Sequence, residues 1–154
     1  MKILIIYATF SNGTALAVQQ TAEVLSHHNH TVITKRAHDT DPEEFLMYDL
    51  VIMASPSWLV KGKEGQPHDD YFALKEKFRT EVFNNKQFAV LGLGDSTYAH
   101  FCGAVDYLEE WIRELKGNLI VPSLRVDGFY FDQEANTETI RAWAEDLSKH
   151  LQPS

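Results

Sequence analysis

The apolar run Ile3-Leu4-Ile5-Ile6-Tyr7 leads directly into Thr9-Phe10-Ser11-Asn12-Gly13-Thr14, and a helical pattern begins at Ala15. A continuous apolar run without alternation belongs to a strand covered on both faces, as in the middle of a parallel sheet. The hydroxyl-rich turn after it aims backbone N–H groups and side-chain hydroxyls at one point, with the positive end of a helix dipole behind them. Such a turn is a phosphate cradle. It contains no Lys or Arg, so a phosphate here is held by N–H and O–H groups alone.

The rest of the chain repeats the strand–helix alternation. The first strand is Lys2–Tyr7 and the first helix Ala15–His28, with Ala15, Val18, Ala22 and Leu25 at helical spacing. Thr31–Lys35 reads as a polar edge strand. Asp41 and Pro42 open a short helix as cap and first residue. Leu50–Ser55 is a buried strand, followed by a long loop from Pro56 to His68. His68–Arg79 is helical, Phe88–Leu93 is another buried strand, and Gly103–Lys116 is a helix stopped by Gly117 at C′. Leu119–Val121 and Leu124–Val126 form a last strand interrupted at Pro122, followed by a loop over 127–136 and a final helix Thr137–Leu151. Five strands alternating with helices predict a parallel α/β sandwich in one domain, residues 1–151, with 152–154 as a short tail.

Composition excludes several functions. The net charge of −8 disfavours nucleic acid and anionic membranes and favours basic partner surfaces. Cys102 stands alone, so no intramolecular disulfide can form, which suits a reducing cytoplasm; a lone Cys reads as core packing. Met1-Lys2 passes straight into a short apolar run without a long signal-type segment, and no apolar run reaches membrane-spanning length. His27-His28-Asn29-His30 has no acidic or Cys neighbour in sequence and reads as a solvated helix end, so no metal site is assigned. There is no P-loop and no nucleophile elbow, and the ends of the first and third strands lack the acidic residues of a phospho-acceptor domain. No catalytic residue is assigned.

In a parallel sheet every carboxyl end lies on one side, and ligands bind there. Three strand ends carry unusual loops: the cradle, Ser55-Pro56-Ser57-Trp58, and Gly94 to Cys102. Trp58 and Tyr98 then flank one crevice from two loops. Two aromatics beside a phosphate cradle suit a flat aromatic ligand that ends in phosphate.

The segment Gly92-Leu93-Gly94-Asp95-Ser96-Thr97-Tyr98, continued by Phe101-Cys102-Gly103-Ala104-Val105-Asp106, resembles the flavodoxin family, as does Leu124-Arg125-Val126-Asp127-Gly128. The resemblance runs along nearly the whole chain. No long insertion separates Gly117 from Asp127, so the chain is similar to the short-chain branch. The resemblance implies a three-layer sandwich with a five-stranded parallel sheet in order 2-1-3-4-5, helices on both faces, and non-covalent FMN at the switch between the first and third strands. It further implies phosphate binding by Thr9, Phe10, Ser11, Asn12, Gly13 and Thr14, with Ser57 and Trp58 at the inner face of the isoalloxazine together with Leu59 and Gly62 in the same loop. Tyr98 would cover the outer face. Gly94, Asp95, Phe101 and Cys102 would line the pyrimidine edge. The implied activity is low-potential one-electron transfer by a cytoplasmic monomer, not an enzyme. It would shuttle between an NAD(P)H- or ferredoxin-dependent reductase and an acceptor redox protein through the acidic surface around the flavin. Alternatives are a two-electron quinone or azo reductase of the same fold, a flavin-free interaction module, or an FMN protein serving one dedicated enzyme.

Two departures from the family pattern stand out. The cradle reads Ser-Asn-Gly-Thr where the family usually has Thr-Gly-Asn-Thr, and Asn12 is expected to supply the positive φ in place of glycine. Leu59 follows Trp58 where the family commonly has Gly, and Lys61 and Lys63 occupy a loop that is often acidic. In the family a peptide at this point flips to meet the protonated N5 of the half-reduced flavin; Leu in the left-handed state costs on the order of 1 kcal/mol. Leu59→Gly is therefore expected to raise the yield of one-electron-reduced flavin in a stepwise anaerobic titration. An unchanged yield would remove Leu59 as the cause.

Overall fold

The computed structural model describes residues 1–9, 12–60, 63–79, 81, 83–97 and 101–151, with backbone alone for Trp58–Val60 and Lys63–Glu64. Strand β1 (Lys2–Tyr7) lies between β2 (Thr31–Arg36) and β3 (Leu50–Pro56), and β6 (Gln87–Gly94) lies beyond β3. All these pairings are parallel, with Ile5 opposite Ile52 and Ile52 opposite Ala89. The last lane of the sheet is shared by two short strands, β7 (Asn118–Leu119) and β8 (Leu124–Asp127), each parallel to β6. The expected interrupted strand is thus two strands split around Pro122. The sheet has six strands in five lanes, in the expected order.

Side-chain alternation divides the apolar run of β1 between two cores. Ile3 and Ile5 face helices α1 (Gly13–His27) and α4 (Gln133–His150), packing with Val18, Leu25, Ile140 and Leu147. Leu4 and Ile6 face α2 (Asp69–Glu76) and α3 (Gly103–Glu114), packing with Tyr71, Leu74, Val105, Leu108 and Trp111. This is why β1, β3 and β6 read as continuous apolar runs: both of their faces are covered.

Several expected boundaries shift. The buried stripe of α1 is Thr14, Ala17, Val18, Thr21, Val24 and Leu25, while Ala15 and Ala22 are only half-buried. Thr21 can face the core because its hydroxyl donates to the Ala17 carbonyl at 3.0 Å. The segment opened by Asp41 and Pro42 is a 3-10 helix, Pro42–Met47, with the Asp41 N–H donating to Glu44 Oε2 at 2.8 Å. The loop from Pro56 to His68 contains an antiparallel hairpin of β4 (Trp58–Val60) and β5 (Lys63–Gln66), with Trp58 opposite Gln66. His68 precedes α2 rather than starting it, its ring accepting from the Asp70 N–H at 3.0 Å. Helix α4 begins a turn earlier than its apolar pattern does, because Asp132 caps it by accepting from the Ala135 N–H at 3.1 Å. At the end of α3 the left-handed residue is Lys116 (φ 65°), not Gly117. Lys116 N–H donates to Arg113 O and Gly117 N–H to Ile112 O, both at 3.0 Å, which closes a Schellman turn with Lys at C′. Gly117 is required for space, since a Cβ there would lie 2.4 Å from the Phe88 ring. His28 does have an acidic partner, Glu145 on α4, with Nε2 and Oε2 2.6 Å apart, a contact invisible at 117 residues of separation.

Tyr71 ties α2 to the carboxyl ends of the central strands. Its fully buried hydroxyl accepts from the Ala54 N–H at 3.0 Å and lies 2.9 Å from the carbonyls of Ile6 and Ala54, to which it donates. Burial pushes its pKa well above the ordinary value, so it remains a donor. Tyr71→Phe strips β1 and β3 of this partner and is expected to cost about 1–3 kcal/mol. A lowered urea midpoint at constant slope would register it; an unchanged midpoint would contradict the assignment.

Candidate functional site

The three loops meet around the end of β6. Ser57, just after β3, donates its N–H to the Leu93 carbonyl at 2.8 Å. On the other side, the Leu93 side chain lies 3.3 Å from where a Cβ on Gly13 would sit. One residue of β6 therefore touches both the first turn of α1 and the loop after β3. Phe10, Ser11, Gly62 and Tyr98, as well as the side chains of Trp58 and Leu59, lie outside the described residues.

In the cradle, Asn12 adopts the expected left-handed conformation (φ 69°) and stands at the N-cap of α1. Its side chain makes no capping hydrogen bond, and the first turn of the helix carries no acidic residue. Nothing from the protein's described side chains answers the positive end of α1. Thr9 Oγ1 and Thr14 Oγ1 are buried without a hydrogen-bond partner among the described residues. A buried hydroxyl left unpaired costs free energy, so two of them at one uncapped helix end fit an anionic acceptor that is supplied from outside the chain. A phosphate ester has that chemistry. Gly13 sits in a tight spot: besides Leu93, a Cβ there would meet Tyr130 Cε2 at 3.3 Å and Phe129 Cδ2 at 3.6 Å. These two rings form a wall of the cradle that sequence reasoning did not assign. Its signal was the run Phe129-Tyr130-Phe131 just beyond the last strand.

In the second loop, Ser57 Oγ accepts from the Ala104 N–H at the start of α3 (3.0 Å). Its own proton stays available to donate.

In the third loop, Gly94 ends β6, and a Cβ there would fall 2.7 Å from Cys102 Sγ. The Asp95 carboxylate turns onto its own loop, where Oδ1 accepts from Thr97 N–H (2.8 Å) and Thr97 Oγ1 (2.7 Å). These bonds hold its pKa below the usual carboxylate value. Phe101 is half-buried against the α2/α3 core. Cys102 is left-handed (φ 50°), and its thiol is 1% exposed. Burial pushes that thiol up to about 12, so it is packing rather than a nucleophile. Among the described residues, no cluster of three or more His, Cys, Asp or Glu could hold a metal, and no helix is long and apolar enough to cross a membrane.

A five-lane parallel sheet in this order, with an uncapped helix end at its switch point, defines a doubly wound α/β protein with an anion-seeking crevice. The flavodoxin family profile matches residues 5–143. Probable flavodoxin 2 of Bacillus subtilis is 35% identical over 127 residues, 82% of each chain. The flavodoxin of Maridesulfovibrio salexigens is 30% identical over 151 residues, covering 97% of this chain and 99% of that one. The crystal structure of oxidised flavodoxin 2 from Bacillus cereus superposes with a TM-score of 0.83 at 27% identity, over 97% of this chain and 99% of that one. This chain belongs to the flavodoxin family, in its short-chain branch. Flavodoxins bind FMN and carry electrons rather than turn over a substrate of their own.

The orphaned hydroxyls generate a test. Thr14→Val is expected to leave the apoprotein as stable as wild type, or more stable by up to about 1 kcal/mol, because it removes an unpaired buried hydroxyl. The same change should weaken FMN binding about tenfold, the worth of one hydrogen bond to a charged acceptor. Thermal unfolding of apoprotein and fluorescence titration with FMN check the two halves. A destabilised apoprotein with unchanged FMN affinity would refute the role.

Proposed function

We propose that this flavodoxin is a low-potential one-electron carrier, working as a cytoplasmic monomer between an NAD(P)H- or ferredoxin-dependent reductase and an acceptor redox protein. The observation that carries the reading is the pair of threonine hydroxyls at the N-terminus of α1 that find no partner, and the helix end that finds no side-chain cap, among the described residues. When bound, FMN supplies the redox chemistry. The chain supplies position and electrostatics. Thr9 and Thr14 donate hydroxyl protons to the phosphate, and Asn12 and Gly13 bring the first helical N–H groups toward it. Phe10 and Ser11 belong to the same cradle. With no Lys or Arg in this segment, no cationic side chain of the cradle would neutralise the phosphate.

Ser57 fixes the start of the loop carrying Trp58, Leu59 and Gly62, which covers the inner face, and Tyr98 covers the outer face. Gly94, the Asp95 backbone and Cys102 line the pyrimidine edge with Phe101 behind. Negative charge from the phosphate and from a chain of net charge −8 disfavours a further electron on a buried ring, which keeps the second potential low. The same charge attracts basic partner surfaces.

Anaerobic potentiometric titration of the FMN-loaded protein is expected to resolve two one-electron steps, the second well below the first. A single two-electron step accompanied by rapid NAD(P)H oxidation would overturn the reading in favour of a quinone or azo reductase.

A further inference from the structure

The segment Leu124-Arg125-Val126-Asp127-Gly128 has no part in the site as built so far. Its strand, β8, runs parallel to β6 with Arg125 opposite Gly92 and Asp127 opposite Gly94. Val126 points into the α1/α4 core, so Arg125 and Asp127 share the other face of the strand. From there each grips a different end of the connection between β6 and α3. Asp127 Oδ1 accepts from the Ser96 N–H at 2.9 Å, and Oδ2 accepts from Ser96 Oγ at 2.6 Å. Arg125 Nη1 donates to the Cys102 carbonyl at 3.1 Å, and Nη2 donates to Asp106 Oδ1 at 2.8 Å. Asp106 in turn holds the guanidinium in place, and their bond keeps the Arg125 pKa above its ordinary value. The Gly128 N–H completes the arrangement by donating to the Gly94 carbonyl at 2.8 Å, which ties the two strand ends together.

We propose that Arg125 and Asp127 are positioning residues that hold the described ends of this loop, residues 95–97 and 101–102, in place before any flavin arrives. The proposal rests on the FMN reading above for what that loop does. Fixing the backbone of a free loop costs about 1–2 kcal/mol per residue, and a ligand that has to order the loop loses that much affinity. Asp127 meets the loop two residues after β6, and Arg125 meets it at the residue just before α3. On that reading the stretch between them carries Tyr98, the residue proposed to cover one face of the ring. The clamp therefore acts on the ring-binding half of the site and leaves the phosphate cradle alone.

Asp127→Ala and Arg125→Met separate these halves. Each is expected to weaken both FMN and riboflavin by about tenfold, the loss of charge-assisted hydrogen bonds, while inorganic phosphate protects the apoprotein against heat as well as it protects wild type. Asp127→Asn keeps one acceptor and should recover most of the affinity. Hydrogen exchange of apoprotein amides should quicken at 95–97 and 101–102 in both variants and stay unchanged in β1. Where Asp127→Ala folds poorly, Ser96→Ala removes the same contact from the loop side and should reproduce the flavin loss. Unchanged flavin affinity and unchanged loop exchange would overturn the proposal. An equal loss of phosphate affinity would also overturn it, since that signals general destabilisation. If wild type itself takes up no flavin, the FMN reading falls, and apoprotein exchange alone still decides whether the clamp exists.

Discussion

The structure depends on burying one central sheet from both sides. Ile3, Ile5, Ile52 and Ala89 face one pair of helices, and Leu4, Ile6, Met53 and Val90 face the other. Strands covered on both faces leave no room for a return strand on the sheet surface, so each connection to a neighbouring parallel strand crosses over through a helix or an intervening helical turn. Every carboxyl end then points the same way. The crevice is a geometric by-product of hydrophobic burial, and Tyr71 secures its floor by fastening α2 to the ends of β1 and β3.

Around that crevice the polar groups fall into two sets. In the second and third loops the described polar groups hold one another: Ser57 caps α3, Asp95 closes on Thr97, Asp127 holds Ser96, and Arg125 holds Cys102. The cradle does not: among the described residues Thr9 and Thr14 keep buried hydroxyls without partners, and no described side chain caps α1. Unsatisfied polar groups in one place, beside loops that spend their own hydrogen bonds on staying in shape, are what a preformed ligand site looks like. In a flavodoxin this division suits the proposed placement of a ligand with a charged end at the cradle and a flat end between the braced loops.

The local features legible in the sequence were those set by neighbours along the chain. Continuous apolar runs marked the buried strands, and Asn12 announced the positive φ that the cradle needed. Pro122 announced the break in the last lane. Features that depended on which side chains the fold buries, or on how a polar side chain satisfies itself, were not legible. Thr21 reads as polar, yet it is buried, because its hydroxyl finds a carbonyl within its own helix. Lys116 takes the left-handed place that Gly117 seemed made for, because Gly117 has to make way for the Phe88 ring. Asp95 also closes on its own loop through Oδ1, a local contact with Thr97 that its expected place at the ligand did not announce.

The sequence by itself determined the strand–helix alternation, the absence of a cationic side chain from the cradle, and the charge of the whole molecule, since all three follow from residue identity and short-range spacing. Tertiary structure decided that the long loop after β3 folds into a hairpin, that Phe129 and Tyr130 wall the cradle, and that Arg125 and Asp127 reach back to the loop after β6. Those contacts join residues tens of positions apart, and only the parallel register of β8 against β6 brings them within hydrogen-bond reach.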